Sequence, residues 1–520
     1  MLTLSTDDAH AVIERLDAPM SAAGSVSAPA LSPDPLTVRG GRFNLFVQDD
    51  EDPEVRHMWY RLPLIAADGT TFSFVGFKVV QPGTERDVWA DTTTLYVTVR
   101  QGDESGPVVG RGVLRIAPED FARQLGTMDT TGPVGHLERL EILARFGEQF
   151  AGLLVHEYGH VVQRSSLLKR HAPPRRHRPL RVPPPTVHTY RSLDALDLRL
   201  TRYQGGSRGP VVISHGHGAN PLTFTTDTIE TNCVEYLVEQ GFDVWVQEWR
   251  GSTLLPTCRS SFNADQVVRM DHPAAEHYVR AATGRHDLHW VTHCIGSATV
   301  TMATLAGTIT PASIVASSVA MHPIGPTIMK LKADLNAAGW LRRLGVALLT
   351  TDAYDDESLR AKAFDQLLRL YPIPRSERCD QAVCRRLAFI YGIAVHHDAV
   401  NEQTHLALHE LFGTTNVQMM QHLARCAKAE RVLDAQGRDV YLPRLEWLQL
   451  PMTFLHGQHG LVWVPESTRR SYDLLVREFG PALYERVVFP DHGHQDTFMG
   501  ARSVDDTFPA VLAHLDRVNA

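Results

Sequence analysis

Cys294 stands in the segment Val291, Thr292, His293, Cys294, Ile295, Gly296, Ser297, ahead of the apolar, small-residue run ATVTMATLAG. A strand that turns sharply into a helix strains the residue at the turn and brings the helix close, so small residues are needed two positions to either side. Thr292 and Gly296 meet that need. A side chain on such an elbow is presented as a nucleophile. Cysteine suits the task, because its thiolate attacks carbonyl carbon and a helix N-terminus lowers its pKa. The competing reading is a buried cysteine at the end of a core strand.

Three more stretches follow the chain order of an acyl-transfer site. SHGHGAN closes the apolar run GPVVIS. A His-Gly turn there supplies one backbone N–H of an oxyanion hole, and the residue after the nucleophile supplies the other, so His217 and Ile295 are the expected donors. Near the end, Pro490, Asp491, His492, Gly493, His494, Gln495, Asp496 follow a last strand. His494 is the expected base, with His492 as runner-up, although 26 histidines make one such match weak by itself. The acid is where the pattern fails. After MTFL the chain reads Gly457, Gln458, His459, Gly460 instead of Gly-x-x-Asp, which leaves Glu466 or a Cys–His pair without an acid.

A competing signal lies at LVHEYGHVV, where His156 and His160 would share a helix face suited to zinc, with Glu157 as base. The completion is absent. Gln163 and Ser166 stand where Gly and a third His would be needed, and the next glutamate is Glu230. The expectation is an amphipathic helix without metal. Cys379 and Cys384 show no partner ligands for a metal either, and no cofactor is expected.

These groups need a scaffold. A chain of 520 residues suggests two to four domains. With 43% hydrophobic residues, 21% charged and a net charge of -8, it lacks the basic balance that nucleic acid or an anionic membrane would call for. The six cysteines show no framework spacing. The start MLTLSTDDAHAVIERLDAP lacks a signal peptide's basic and apolar regions, and no apolar run has bilayer length. A reducing cytoplasm with free thiols is the expected setting.

Residues 1–36, rich in Ala, Ser, Pro and Asp, are expected to be disordered. From 37 to 165 a β-rich domain is expected. Its runs RFNLFVQ, HMWYRLPLI, TFSFVGFKVV, TTTLYVTVR and VVGRGVLRI form an antiparallel sheet, and a helical segment from Pro118 to Gln163 closes it. HAPPRRHRPLRVPPP marks a solvated Pro/Arg-rich linker over 166–188. From 189 to 520, GPVVISHG, GFDVWVQEW, DLHWVTHC, ASIVASSVA, PMTFLHG and ERVVFPDHGH alternate with helical segments, which points to a parallel α/β sheet. The alternation stops between about 323 and 450, where a mostly helical insert is expected to cap the site.

RLTRYQGGSRGPVVISHGHG, VWVQEWRGSTLLP, NADQVVRMDHPAAEHYVRAATG, THCIGSATVTMATLAG and HGHQDTFMG resemble the α/β-hydrolase module fused behind GMC-type oxidoreductases, the cholesterol- and choline-oxidase relatives. GFKVV, WADTTTLYVTV and GVLRI resemble the β-rich segment joining the halves of such fusions. The resemblance implies an α/β-hydrolase fold, with Cys294 and His494 at the positions where that module carries His-Cys and Gly-His-x-Asp. The chain has no Gly-x-Gly-x-x-Gly turn and no room for a flavin domain. The expected function is therefore acyl transfer to water from an ester, thioester or lactone. The expected substrate is bulky, apolar and lipid- or sterol-like, and a separate oxidoreductase is an expected partner. A zinc protease and a non-catalytic partner of such an oxidoreductase are the alternatives.

Overall fold

The computed structural model of the protein describes residues 2–15, 17–49, 55–80, 94–115, 168–171, 174–343, 345–354, 358–371 and 373–519. The chain divides into two compact units, Met1–Leu167 and Leu168–Ala520.

The first unit is an antiparallel meander of seven strands, each paired with the next in sequence: β1 (Leu2–Ser5), β2 (Pro19–Val26), β3 (Leu36–Gln48), β4 (Arg56–Ile65), β5 (Thr71–Val80), β6 (Thr94–Gln101) and β7 (Val108–Arg115). Period-two patterning sets its buried face. Along β4, Leu62 and Leu64 are buried while Pro63 and Ile65 are exposed, and Leu36, Val38, Phe72 and Phe74 pack with them. Composition suggested disorder over residues 1–36, but the described ones, 2–15 and 17–36, carry β1, β2 and the start of β3. β1 pairs with β2, β2 pairs with β3, and Ala22 is 1% exposed. Small residues are what the close packing demands: a Cβ on Gly41 would come within 2.9 Å of Leu62 and 3.2 Å of the Ala22 Cβ. The helix expected over Pro118–Gln163, with His156, Glu157 and His160, lies outside the described residues.

The second unit is built on an eight-stranded sheet in the order β8-β9-β11-β10-β12-β13-β16-β17. The strands are β8 (Thr186–Arg191), β9 (Asp197–Gln204), β10 (Arg208–Ser214), β11 (Phe242–Glu248), β12 (His289–His293), β13 (Ser313–Ser317), β16 (Met452–Gly457) and β17 (Tyr484–Phe489). Counted along the chain, the order is first, second, fourth, third, then fifth to eighth, the order of the α/β-hydrolase fold. β8 and β9 are antiparallel to their neighbours and the rest run parallel. The parallel strands are apolar on both faces because both are covered. Along β10, Val212 enters one core and Val211 and Ile213 the other.

β9 carries no clear strand signal, because arginines interrupt its apolar residues. Those arginines bind the neighbouring strand: Arg199 pairs with Glu248 at 2.6 Å and Arg202 with Asp243 at 2.8 Å. The basic stretch expected as a solvated linker is likewise drawn onto carboxylates of the second unit. Arg170 meets Asp365 at 2.8 Å, Arg175 meets Asp227 at 2.7 Å and Arg178 meets Glu235 at 2.6 Å. β8 begins within that stretch, at Thr186.

Between β13 and β16 the chain leaves the sheet. Most of this insert is helical, including Thr327–Asp334, Ala382–Ile390 and Val417–Ala429, with a short antiparallel pair of strands, β14 (Leu348–Thr350) and β15 (Thr414–Asn416). No described helix is long and apolar enough to cross a membrane.

Candidate active site

From β10 the chain crosses to β11 on one side and returns to β12 on the other. A crevice opens where such a sheet reverses direction, at the carboxyl ends of the two strands. The turn after β10 holds His215 to Gly218, and the turn after β12 holds Cys294, so topology alone brings these segments together.

Cys294 joins β12 directly to the helix Ile295–Leu305, with φ +54° and ψ −129°. A positive φ on a residue with a Cβ stores about 1–3 kcal/mol of strain and persists only where the surroundings enforce it. Here the Cys294 N–H donates to the Ser317 carbonyl on β13 at 3.1 Å, and the Cys294 carbonyl accepts the first helical bond, from Ser297 at 3.0 Å. The glycine two residues on is required by space. A Cβ on Gly296 would lie 2.4 Å from the His215 carbonyl oxygen, so only glycine lets the helix and the turn after β10 meet. Gly216 approaches from the other side, where a Cβ would sit 3.3 Å from Sγ.

The sulfur is buried, and burial pushes the Cys294 thiol up to about 12, against the backbone N–H of Ile295, the side chain of Trp463 and the backbone N–H of His217. The turn that carries His217 thus lies against the elbow, where Ile295 opens the helix. The His217 ring is fixed as well. Its Nε2 bonds the Thr415 hydroxyl on β15, and it stacks on Trp249 with centroids 6.1 Å apart. Tyr391, from the same insert, meets the His217 ring edge-on at 6.4 Å.

The loop after β17 brings His494 against His293, the residue before Cys294, with ring centroids 4.8 Å apart. Neither ring nitrogen of His494 has a hydrogen-bond partner, Sγ included. Burial, then His293 and His456, drive its pKa well below the usual histidine value. His492 is engaged instead. Its Nδ1 bonds the Asp496 carbonyl oxygen at 2.9 Å and its Nε2 the Asp506 carboxylate at 3.0 Å.

The turn carrying His217 lies against Cys294, and His494 lies against His293, the residue before Cys294. Among the described residues, no carboxylate bonds His494. Glu466 is bound by Arg469 and Arg470 at 2.6 and 2.9 Å, which removes it as the acid. The turn after β16 packs instead on the histidine loop, where a Cβ on Gly457 would overlap the Gly493 carbonyl oxygen. His456, at the end of β16, bonds the Trp463 carbonyl oxygen and the Thr468 hydroxyl, both at 3.1 Å. Tyr391 and Thr415 gave no signal in sequence, because each lies far along the chain from His217, which it touches.

Cys379 and Cys384 do have partners, contrary to the sequence reading. The ligand atoms of Cys379, Cys384, His397 and His405 all lie within 4.8 Å of one another. A spacing of two cysteines followed by two histidines was the available signal, spread over a stretch with no regular pattern.

No family model matches the chain. A triacylglycerol lipase 2 of Arabidopsis thaliana is 31% identical over 102 residues, 18% of this chain and 24% of that protein. The match thus spans about a quarter of the relative's length. Among solved structures, the chain is similar to a monoacylglycerol lipase of Paleococcus ferrophilus at 16% identity and a TM-score of 0.40, over 62% of this chain and 100% of that one. It is similar to a lipase in an open form at 12% identity and a TM-score of 0.46, over 64% and 99%. An esterase of Pyrococcus furiosus gives 13% identity and a TM-score of 0.38, over 68% and 100%.

Proposed function

We propose that the second unit is an ester hydrolase with Cys294 as nucleophile, His494 as proton carrier and the His217 and Ile295 amides as the oxyanion hole. The observation that supports this reading is the strained elbow at Cys294, packed against the turn after β10 that carries His217. Strain of that kind is maintained where it presents an atom for reaction. Sγ attacks the carbonyl carbon and its proton passes to His494. The oxyanion forms against the two amides, and the leaving group departs with the proton from His494. Water, deprotonated by His494, then displaces the acyl group and restores the thiol.

A thioester-linked intermediate suits ester, thioester and lactone substrates better than unactivated amides. The insert acts as a cap, because Tyr391 and Thr415 close over His217. Such a lid, with Trp249 stacked on His217, favours a bulky apolar, lipid- or sterol-like acyl group. The likeness to a triacylglycerol lipase agrees with that class. Free thiols suit a reducing compartment such as the cytoplasm, and no flavin takes part.

The test is acyl-probe labelling of the full chain, with an activated aryl ester or an activated thioester, followed by mapping of the modified residue. Labelling at Cys294, and loss of ester turnover in Cys294→Ala, is expected. No acylation of Cys294 by either probe overturns the mechanism. So does a hydrolysis that survives Cys294→Ala and disappears in His156→Ala.

One observation favours a second reading, a non-catalytic partner of a separate GMC-type oxidoreductase. His494 has no carboxylate to orient it and no bond to the sulfur. Recovery of a stoichiometric flavoprotein with the tagged chain, without turnover of any ester, would establish that role.

A further inference from the structure

The described residues hold a second constellation, away from Cys294 and inside the insert. Cys379 follows the short turn Arg375–Glu377, Cys384 lies in the helix Ala382–Ile390, His397 opens the turn His397–Ala399, and His405 lies in the helix Glu402–Leu406. Their four ligand atoms converge within 4.8 Å of one another. Cys384 Sγ and His397 Nε2 are 3.7 Å apart, and the His397 and His405 rings lie 4.8 Å between centroids, crossed edge to face. Tetrahedral zinc with bonds of about 2.3 Å to sulfur and about 2.0–2.1 Å to nitrogen has S···N edges of about 3.6 Å.

We propose that Cys379, Cys384, His397 and His405 bind one zinc ion as a closed, structural Cys₂His₂ site that clips the insert together.

Two observations beyond the convergence support it. His405 Nε2 is buried without a hydrogen-bond partner, an orphan that burial normally forbids and that a metal would satisfy. His397 bonds the Glu377 carboxylate through Nδ1 at 2.8 Å, which turns Nε2 toward the cysteines. A carboxylate behind a ligating histidine is the usual device for fixing ring and tautomer in zinc sites. The charges also balance, since two thiolates neutralise a divalent cation. Binding releases the two thiol protons to solvent and involves no redox change.

Four protein ligands leave no open position, so the ion would hold structure and not activate water. The elements it joins are each only a few residues long and have little stability of their own. What they support is the catalytic neighbourhood. Gln495 N–H donates to the Ala394 carbonyl at 2.8 Å, His396 N–H to the Asp496 carboxylate at 3.0 Å, and Ala501 N–H to the Ala399 carbonyl at 2.9 Å. The segment carrying His397 thus braces the loop carrying His494, and the helix carrying Cys384 ends at Tyr391, against His217.

The proposal does not depend on Cys294 being a nucleophile, and its test reads metal directly. Full-length protein purified without chelator is expected to hold about one zinc per chain, falling below about 0.1 in Cys379→Ser and in His405→Gln, and unchanged in His156→Ala. Cobalt exchanged into the wild-type chain is expected to give tetrahedral visible bands with near-ultraviolet thiolate charge transfer, a readout that holds even if the variants fail to fold. Wild-type protein without zinc and without those cobalt bands overturns the site. So does zinc retained in both variants or lost in His156→Ala, and so does a Cys379–Cys384 disulfide in the purified chain.

Discussion

His492 and His494 sit two residues apart, and their ring nitrogens have opposite fates. Both nitrogens of His492 are committed to the loop, to Asp496 and Asp506, whereas both nitrogens of His494 lack a partner among the described residues, with the ring beside His293. A base must have an open nitrogen, and a brace must not. His494→Gln is therefore expected to lower kcat/KM for an activated ester by about 10²–10⁴-fold with little change in stability. His492→Gln is expected to do the reverse, costing about 1–3 kcal/mol for the bonds lost to Asp506 and to the Asp496 carbonyl, each of which keeps a further partner. Esterase kinetics and urea denaturation on both variants separate the roles, and equal rate losses would remove the distinction.

At the scale of elements, the elbow depends on how closely the helix Ile295–Leu305 can approach the turn after β10. That helix is buried along its whole length, so it cannot tilt away to relieve a clash. Gly296→Ala places a methyl 2.4 Å from the His215 carbonyl oxygen. The expected cost is about 1–3 kcal/mol by urea denaturation, with a loss of Cys294 acylation, because the backbone must shift at the oxyanion hole itself. An unchanged urea midpoint in Gly296→Ala would show that the contact is slack.

For the whole second unit, the unusual feature is how many histidines lie buried and neutral. Burial holds His215 and His456 at about 4, and His217, His272 and His293 at about 3. These folded values lie below the unfolded value of about 6.5, so below that pH the unfolded chain binds more protons. Their stability is fully present above pH 6.5 and is lost as the pH falls toward the folded values. Each contributes up to about 1.4 kcal/mol per pH unit, so five together remove on the order of 5–10 kcal/mol by pH 5, comparable to a domain's whole stability. The urea midpoint is expected to be level near neutrality and to collapse between about pH 6.5 and 5. A midpoint unchanged at pH 5 would contradict the burial of these rings.

The sequence by itself determined the parallel sheet and the strand-to-helix elbow at Cys294, because each depends on local rules. Buried strands read as apolar runs, and a strand-to-helix turn needs small flanking residues. Tertiary structure decided whatever depends on partners distant in sequence. The opening residues looked disordered until β2 met β3, and the arginine stretch looked like a linker until Asp227 and Glu235 came beside it. The acid position, open in sequence, emerged without a carboxylate, because Glu466 is held by its own helix neighbours. His397 and His405 join Cys379 and Cys384 only when the insert closes, since ligand convergence is a property of space that spacing along irregular chain does not encode.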